Sequence, residues 1–286
     1  MINGKTKVLG VLGNPIEHTL SPLIHNTIAK VMGIDQVYVA FECDDRYGAK
    51  SIVNGAFSLG IAGMNVTVPY KTLVFPYVEV NDPVAETVGA VNTLVKDDET
   101  YRGYNTDVEG LYRALLSENV EVKGKNVVIL GAGGAARAAL FMAIREKAEH
   151  IYVLNRSFDK AAALIEEFKD KTGYEDMDAY DLKDWSRLPD SNAVCIQCSS
   201  VGLNDETKAI IEDKDFYAKK IAVLYDAVYK PSVTKAMKYT EEAGKPAYNG
   251  LKMLMYQGIR AFELFHGVEV GEDAIEEVYE ELRKSV

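Results

Sequence analysis

The stretch VVILGAGGAARAAL, residues 127–140, carries the strongest structural signal in this chain. The apolar run Val127 to Leu130 has the length and composition of a buried strand, and the alanine-rich end is typical of a helix. The glycines between them allow the backbone to approach a pyrophosphate at the helix N-terminus. This turn consists of Gly131, Ala132, Gly133, Gly134 and Ala135. The stretch therefore predicts a dinucleotide-binding site.

A second apolar run, Ile151 to Leu154, ends at Asn155-Arg156-Ser157. A site for NAD usually carries Asp or Glu about 20 residues past the glycines, where the carboxylate binds a ribose hydroxyl. Here that place holds Arg156, whose guanidinium suits the additional 2′-phosphate of NADP. The competing interpretation is a glycine turn that only opens a helix. The strand, the helix and Arg156 together favour NADP(H) as cofactor and hydride transfer as the chemistry.

The composition limits the class of protein. The chain has 286 residues, of which 48% are hydrophobic and 26% charged. These values are typical of a soluble globular protein of about two domains. No apolar stretch reaches the roughly 18 residues of a membrane span, and the first residues lack the apolar core of a signal peptide. We therefore expect a cytoplasmic protein without a membrane partner.

The charge and the cysteines exclude further classes. A formal net charge of −11 at pH 7 opposes binding to the phosphate backbone of a nucleic acid. An anionic cofactor then needs a local group of cations, which Arg156 and Lys160 supply. The odd number of cysteines, 3, fits no disulfide framework. Cys195 and Cys198 form one C-x-x-C pair in an apolar segment, where we expect buried thiols and no metal or redox site.

Short apolar runs alternate with helical patterns, which indicates α/β architecture with mainly parallel sheets. The predicted strands are Val8 to Leu12, Val37 to Phe41, Gly63 to Val68 and Thr93 to Val95, followed by strands at Val127, Ile151, Ala193 and Ile221. We predict an N-terminal α/β substrate domain over residues 1–107 and a Rossmann-like dinucleotide-binding domain over residues 108–247. The helical patterns of residues 248–286 are expected to return to the first domain.

Polar residues outside the nucleotide domain have two possible interpretations each. Ser21, with Thr19 before it, either caps a helix that has Pro22 as its first residue or helps to receive a small carboxylate. Lys71 follows a predicted strand at its carboxyl end, where α/β proteins usually place ligands, although such a lysine is more often a solvated surface residue. Asp107 lies in the first turn of a helix predicted to begin at Thr106, and it either complements the helix dipole or belongs to a site.

These segments belong to a longer ordered series. In the first part of the chain the series comprises Gly13-Asn14-Pro15-Ile16, Leu20-Ser21-Pro22, His25-Asn26, Asn65-Val66-Thr67 with Pro69 and Lys71, Gly89-Ala90-Val91-Asn92-Thr93 and Asn105-Thr106-Asp107. It continues with Gly131 to Ala135, Asn155-Arg156-Ser157, Asp226 with Tyr229 and Pro231, and Asn249-Gly250-Leu251 with Gln257. Over nearly the whole chain the series resembles the shikimate dehydrogenase family. The resemblance implies a reversible, NADPH-dependent reduction of 3-dehydroshikimate to shikimate in aromatic amino acid biosynthesis, the route through chorismate.

The resemblance also implies a role for each site residue. Lys71 is the general acid that protonates the ketone oxygen, and the base in reverse, while Asp107 orients Lys71 and binds a ring hydroxyl. The residues implied to hold the substrate carboxylate are Thr19 and Ser21, and those implied to bind the carboxylate or ring hydroxyls are Asn65, Thr67, Asn92, Tyr229 and Gln257.

The cofactor contacts follow from the same resemblance. Gly131 to Ala135 take the pyrophosphate, and Ala227 and Gly250 let the nicotinamide come close. The 2′-phosphate meets Arg156 and Lys160, with Asn155 and Ser157 nearby. No metal is implied, and the partner is a small molecule.

Several positions depart from the family pattern. Thr19 stands where the family usually has Ser, and Ser157 and Lys160 replace Thr and Arg. Gln197-Cys198-Ser199-Ser200 replaces Asn-Ala-Thr-Ser or Asn-Thr-Thr-Ser. Thr19, together with Asp159 near the 2′-phosphate, supports an alternative, a quinate/shikimate dehydrogenase that uses NAD.

A second alternative is a noncatalytic NADP-binding sensor. The presence of both Lys71 and Asp107 argues against it. The oligomeric state is left open between monomer and homodimer.

Overall fold

The computed structural model describes residues 2–44, 48–203 and 205–286. The chain splits into two units, unit 1 over Met1–Gly110 and Met255–Ser285, and unit 2 over Leu111–Leu254 with Val286. It passes from unit 1 to unit 2 within helix α5 (Asp107–Ser117) and returns within helix α10 (Leu251–His266).

Unit 1 contains, among the described residues, a six-stranded sheet in the order β2-β1-β3-β5-β6-β4. Its strands are β1 (Lys7–Gly13), β2 (Gln36–Glu42), β3 (Gly63–Val66), β4 (Glu79–Val80), β5 (Thr93–Lys96) and β6 (Tyr101–Tyr104). The pairs β1–β2, β1–β3 and β4–β6 are parallel, but β3–β5 and β5–β6 are antiparallel. The sheet is mixed because a tight turn, in which Asp97 N donates to Thr100 O, joins β5 to β6, and parallel strands need a long crossover.

Helices cover the sheet of unit 1. They are α1 (Ser21–Met32), α2 (Ala49–Ser58), α3 (Tyr70–Leu73), α4 (Pro83–Val88), the start of α5, most of α10, and α11 (Glu272–Arg283). Phe265 of α10 packs against β3 at Gly63, where an added Cβ would lie 2.4 Å from the ring. Leu9, Val11 and Tyr38 belong to the same apolar cluster. The prediction that the C-terminal helices return to the first domain is confirmed.

Unit 2 has a fully parallel sheet, in the described residues, with the order β12-β11-β10-β7-β8-β9. The strands are β7 (Asn126–Leu130), β8 (His150–Asn155), β9 (Met177–Asp181), β10 (Ala193–Gln197), β11 (Ile221–Asp226) and β12 (Ala247–Asn249), and the helices that complete this unit are α6 (Gly134–Arg145), α7 (Phe158–Thr172), α8 (Lys214–Lys219) and α9 (Lys235–Glu242). The strand order reverses at β7, which is the switch point where such folds bind ligands. The predicted Rossmann-like fold is confirmed.

The strands that the sequence analysis missed are β4, β6, β9 and β12. Three of them, β4, β9 and β12, are edge strands. Edge strands form by pairing with a neighbour, so their own residues need not carry a strong apolar pattern. For β9, the pattern Met177-Asp178-Ala179-Tyr180-Asp181 has a single buried side chain.

The residues that the structure describes contain neither a membrane-spanning helix nor a cluster of metal-ligating side chains. In the ranges that it describes, no helix has both the length and the apolar character that crossing a bilayer requires. The same residues contain no group of three or more His, Cys, Asp or Glu side chains placed to hold a metal ion.

Candidate active site

Lys71 and Asp107 form an ion pair in unit 1. Lys71 Nζ donates to Asp107 Oδ2 at 2.5 Å, and the two side chains are 24% and 10% exposed. Lys71 follows β3, which ends at Val66, and it lies in the one-turn helix α3. Asp107 is the first residue of α5, where the helix dipole also favours a carboxylate. The position fits the dipole interpretation of Asp107, and the ion pair with Lys71 supports the interpretation as a site residue.

Asn92 holds the other side of the Asp107 carboxylate. Its Nδ2 donates to Asp107 Oδ1 at 2.8 Å and to Thr106 Oγ1 at 3.0 Å. Its Oδ1 accepts from Thr106 N at 2.8 Å and from Thr93 Oγ1 at 3.1 Å. All of these groups are buried. The carboxylate is thus fixed on one oxygen by an ammonium group and on the other by an amide.

Asn65 extends this network to β2. The hydroxyl of Tyr38 donates to Asn65 Oδ1 at 2.7 Å, and Asn65 Nδ2 donates to Asn92 O and to Thr93 Oγ1. A continuous path of hydrogen bonds therefore runs from Tyr38 through Asn65, Thr93 and Asn92 to Asp107. Tyr38 and the hydroxyls of Thr93 and Thr106 were not assigned from the sequence.

Thr19 and Ser21 bond to each other. Thr19 Oγ1 donates to Ser21 Oγ at 3.2 Å and accepts from Ser21 N at 3.3 Å. The interpretation of Ser21 as an N-cap is wrong, because α1 begins at Ser21 and Leu20, which makes no side-chain cap, occupies the cap position. Pro22 is consequently the second helical residue.

The remaining predicted substrate residues lie at three other places. Thr67 O accepts from Tyr70 N at the start of α3. Gln257 of α10 packs against Gly110 of α5, where an added Cβ would lie 2.7 Å from the Gln257 Cβ. Tyr229 belongs to unit 2, just past β11, and burial raises the pKa of its hydroxyl.

The glycine-rich turn of unit 2 lies between β7 and α6. Gly131 has φ +119°, and a Cβ there would lie 3.4 Å from the backbone at Cys198. Cβ atoms added at Gly133 and Gly134 would meet nothing within 4 Å, and Gly133 caps α6 without a side-chain hydrogen bond. The start of α6 therefore combines open space with backbone donors, as a pyrophosphate requires.

The turn after β8 carries the cations. Ser157 is the N-cap of α7 but makes no side-chain cap, and Asn155 Nδ2 donates to Ser157 O at 2.9 Å. Arg156 and Lys160 are exposed. Neither forms a salt bridge with another described residue, so both charges are free for a phosphate. These residues and the glycine turn fit NADP(H).

Asp226 organises the loop after β11. It is fully buried and accepts hydrogen bonds from Thr234 Oγ1, Val228 N and Gln197 Nε2. Gln197 Oε1 in turn accepts from Ser199 N, and its Nε2 also donates to Val201 O. The glutamine thus ties the loop after β10 to the end of β11. Neither role was found from the sequence.

Burial raises the pKa of Asp226 from its ordinary value of 3.8 to about 6. Well below pH 4 the carboxyl is protonated in both folded and unfolded chains, whereas above pH 6 folding buries a charge. The group therefore stabilises the fold least at high pH, and its contribution falls by about 3 kcal/mol between pH 4 and 6.

We expect Asp226→Asn to remove this pH dependence. The free energy of unfolding of the variant, minus that of the wild type, should rise by about 3 kcal/mol across the window, as measured by urea unfolding at pH 4 to 8. A difference that stays constant over this range would contradict the shifted pKa.

Gly250 allows a close backbone approach beside Ala227. A Cβ at Gly250 would lie 2.1 Å from Ala227 O, and Gly250 N donates to Val228 O at 3.1 Å. We expect Gly250→Ala to lower the free energy of unfolding by about 2 kcal/mol and to raise the KM for NADP, because the backbone must move. The control is Gly271→Ala, where the added methyl meets nothing within 4 Å. Equal stability and equal KM in both variants would count against this close approach.

The three cysteines are free thiols. Cys195 is buried and Cys198 partly so. Burial raises the pKa of both thiols, which disfavours the reactive thiolate. The structure therefore gives the C-x-x-C pair a packing environment.

Three models of known protein families match successive segments of the chain. Family models match residues 11–94 (shikimate dehydrogenase substrate binding domain), 114–207 (shikimate / quinate 5-dehydrogenase) and 250–278 (shikimate 5'-dehydrogenase C-terminal domain). The shikimate dehydrogenase (NADP(+)) of Methanothermobacter thermautotrophicus is 39% identical over 97% of this chain and 99% of its own.

Solved structures agree. A crystal structure of a shikimate dehydrogenase in complex with NADP+ is 35% identical, has a TM-score of 0.91, and matches 100% of this chain and 98% of its own. Shikimate 5-dehydrogenase from Listeria monocytogenes, in complex with shikimate and NAD, is 34% identical, with a TM-score of 0.88 over 97% of both chains. With matching family models, near-complete coverage and the same fold, the chain belongs to the shikimate dehydrogenase family.

Proposed function

We propose that Lys71 and Asp107 catalyse the proton transfer in a reversible, NADPH-dependent reduction of 3-dehydroshikimate to shikimate. The chain is an NADP-dependent oxidoreductase that acts on a CH–OH group. The observation that supports the assignment of these residues best is their ion pair, at 2.5 Å, beside the buried amide of Asn92. Unit 1 serves as the substrate and catalytic domain, and unit 2 as the NADP domain.

Lys71 acts as the general acid in the reduction. Its ammonium group gives a proton to the ketone oxygen as a hydride reaches the ketone carbon, which leaves a CH–OH group and a neutral amine. In the oxidation the amine takes the proton of the hydroxyl. Asp107 accepts a hydrogen bond from one N–H of Lys71, so that the other N–H bonds can face the substrate.

The substrate is held by hydrogen bonds. The hydroxyls of Thr19 and Ser21 bind its carboxylate. Both N–H bonds of the Asn65 amide are already used, so Asn65 binds a ring hydroxyl through Oδ1. Asn92 reaches the substrate by exchanging its bond to Thr106 Oγ1. The residues that complete this set are Thr67, Tyr229 and Gln257.

NADP(H) is held by unit 2, and when bound it supplies the hydride from its nicotinamide ring. The turn from Gly131 to Ala135 binds the pyrophosphate with backbone amides. Arg156 and Lys160 bind the 2′-phosphate, with Asn155 and Ser157 beside them, because both cations are exposed and unpaired within the described residues. Ala227 and Gly250 leave room for the nicotinamide, since neither projects a side chain beyond a methyl group.

The cell compartment and the partners are also proposals. Three free thiols are consistent with the reducing cytoplasm. The acidic chain acts on a small molecule without nucleic acid, as a monomer or a homodimer.

The deciding assay combines two substrates with two cofactors. Shikimate or quinate is added to the purified protein with NADP or with NAD, and the absorbance of the reduced nicotinamide is followed. We expect the highest kcat/KM for shikimate with NADP. A preference for quinate or NAD would favour the alternative that Thr19 and Asp159 support, and no turnover in any combination would favour a noncatalytic sensor.

A further inference from the structure

Asp82, the N-cap of α4, uses both of its carboxylate oxygens. Oδ1 accepts from Val84 N at 3.0 Å, which is the ordinary capping bond. Oδ2 accepts from Asn105 N at 3.0 Å, although Asn105 lies 23 residues further along the chain. The second bond is not required for capping, and it reaches the residue two positions before Asp107.

Asn105 links Asp82 to Asp107 through hydrogen bonds. Its side-chain Oδ1 accepts from Asp107 N at 3.1 Å, and its Nδ2 donates to Ala90 O at 3.0 Å. Asn105 is only 7% exposed, so its backbone N–H needs a partner inside the protein. Because β6 ends at Tyr104, Asp82 supplies that partner in place of a neighbouring strand.

The other end of α4 leads to Lys71. After the left-handed Gly89, Val91 N donates to Lys71 O at 3.0 Å, and the Asn92 side chain binds Asp107. The segment from Asp82 to Asn92, called the brace here, therefore contacts the backbone of Lys71 and both the backbone segment and the carboxylate of Asp107.

We infer that Asp82 is a positioning residue for the Lys71–Asp107 pair. The brace ties the backbones of the two groups together, and Asp82 closes it at the end opposite Asn92. The inference depends on the proposed function, in which Lys71 transfers the proton. A displacement of about 1 Å at a reacting group is enough to lower a rate substantially.

The test variant is Asp82→Ser. Serine keeps the capping bond to Val84 N, since Ser and Asp are equally good N-caps, but it has no second oxygen for Asn105 N. The matched control is Asp213→Ser at the N-cap of α8 in unit 2, where the carboxylate accepts from Asp215 N. Both substitutions remove one negative charge from a capping position.

We expect Asp82→Ser to lower kcat for shikimate about tenfold while the KM for NADP stays the same, and Asp213→Ser to change neither. In a Lys71→Ala background, Asp82→Ser should change kcat less than about twofold, because the group that it positions is absent. An unchanged kcat, or an equal loss with and without Lys71, would overturn the inference.

Hydrogen–deuterium exchange tests the brace by a measurement that does not depend on enzymatic activity. In Asp82→Ser, amides of the segment 101–110 should exchange faster than in the wild type, and in Asp213→Ser they should not. Unchanged exchange in this segment would overturn the inference. If the wild type fails to oxidise shikimate with NADP, the proposed function falls, and the exchange result then decides whether Asp82 holds the Asp107 segment.

Discussion

Lys71→Ala is expected to lower kcat for shikimate oxidation by a factor of about 100 or more, since a positioned general acid or base typically contributes 10²- to 10⁴-fold. The affinity for NADP should stay nearly unchanged, because the proposed cofactor residues belong to unit 2 and Lys71 to unit 1. The measurement is steady-state kinetics, with a fluorescence titration of NADPH for its affinity. Wild-type turnover in this variant would remove Lys71 from the mechanism.

Two further variants separate proton transfer from charge. Lys71→Arg keeps a cation beside Asp107, but a guanidinium does not deprotonate near neutral pH, so kcat should remain low. Lys30→Ala removes an exposed lysine at the last turn of α1 and should leave kcat unchanged. High activity in Lys71→Arg would indicate that the charge, and not the proton, is what the reaction requires.

Arg156→Ala is expected to raise the KM for NADP by about 10- to 100-fold, the value of one or two charge-assisted hydrogen bonds. The KM for NAD should change much less, because NAD lacks the 2′-phosphate. The ratio of the two KM values, measured with shikimate as substrate, tests directly whether Arg156 binds the 2′-phosphate. Equal weakening of both cofactors would refute it.

The control for this experiment is Arg187→Ala. Arg187 is also an exposed arginine of unit 2, and it pairs with Asp184 at 3.6 Å. Its loss changes the net charge by the same amount as Arg156→Ala. Because the whole chain carries −11, a general electrostatic effect on an anionic cofactor would appear in both variants. If Arg156 contacts the 2′-phosphate directly, the KM for NADP should rise in Arg156→Ala and not in Arg187→Ala.

The sequence predicted the nucleotide half of the fold well. Runs such as Val127 to Leu130 and Ile151 to Leu154 are buried on both faces of a parallel sheet, and such strands have nearly continuous apolar sequences. The glycine turn between strand and helix has a backbone requirement that only small residues meet. Both signals are local, and a local signal can be read from the chain.

The hydrogen-bond network around Asp107 was predicted only in part. Lys71, Asp107 and Asn92 were selected through the ordered motifs, and the structure brings them together. Tyr38 lies in an apolar strand, and nothing in its neighbourhood along the chain indicates that its hydroxyl meets Asn65. Hydrogen bonds between residues far apart in sequence depend on which strands become neighbours, and a periodicity does not specify that.

Local geometry at helix ends was also decided by the folded structure. Ser21 has the residue type of an N-cap but lies inside α1 and bonds to Thr19. Asp82 has the type of an N-cap and is one, yet its second oxygen binds Asn105. A side chain with several acceptor atoms can bind different donors, and the tertiary structure decides which donors lie close enough.

By itself, the sequence determined the two α/β regions and predicted a nucleotide site at the glycine turn and a cation for the 2′-phosphate, because each depends on residues close together in the chain. The tertiary structure alone decided the antiparallel β5 and the path from Tyr38 to Asp107. It also decided the hydrogen bond from Gln197 to Asp226 and the second hydrogen bond that Asp82 accepts, from Asn105 N. These features join segments from different strands and helices, and their free energy is gained only when the whole unit has folded.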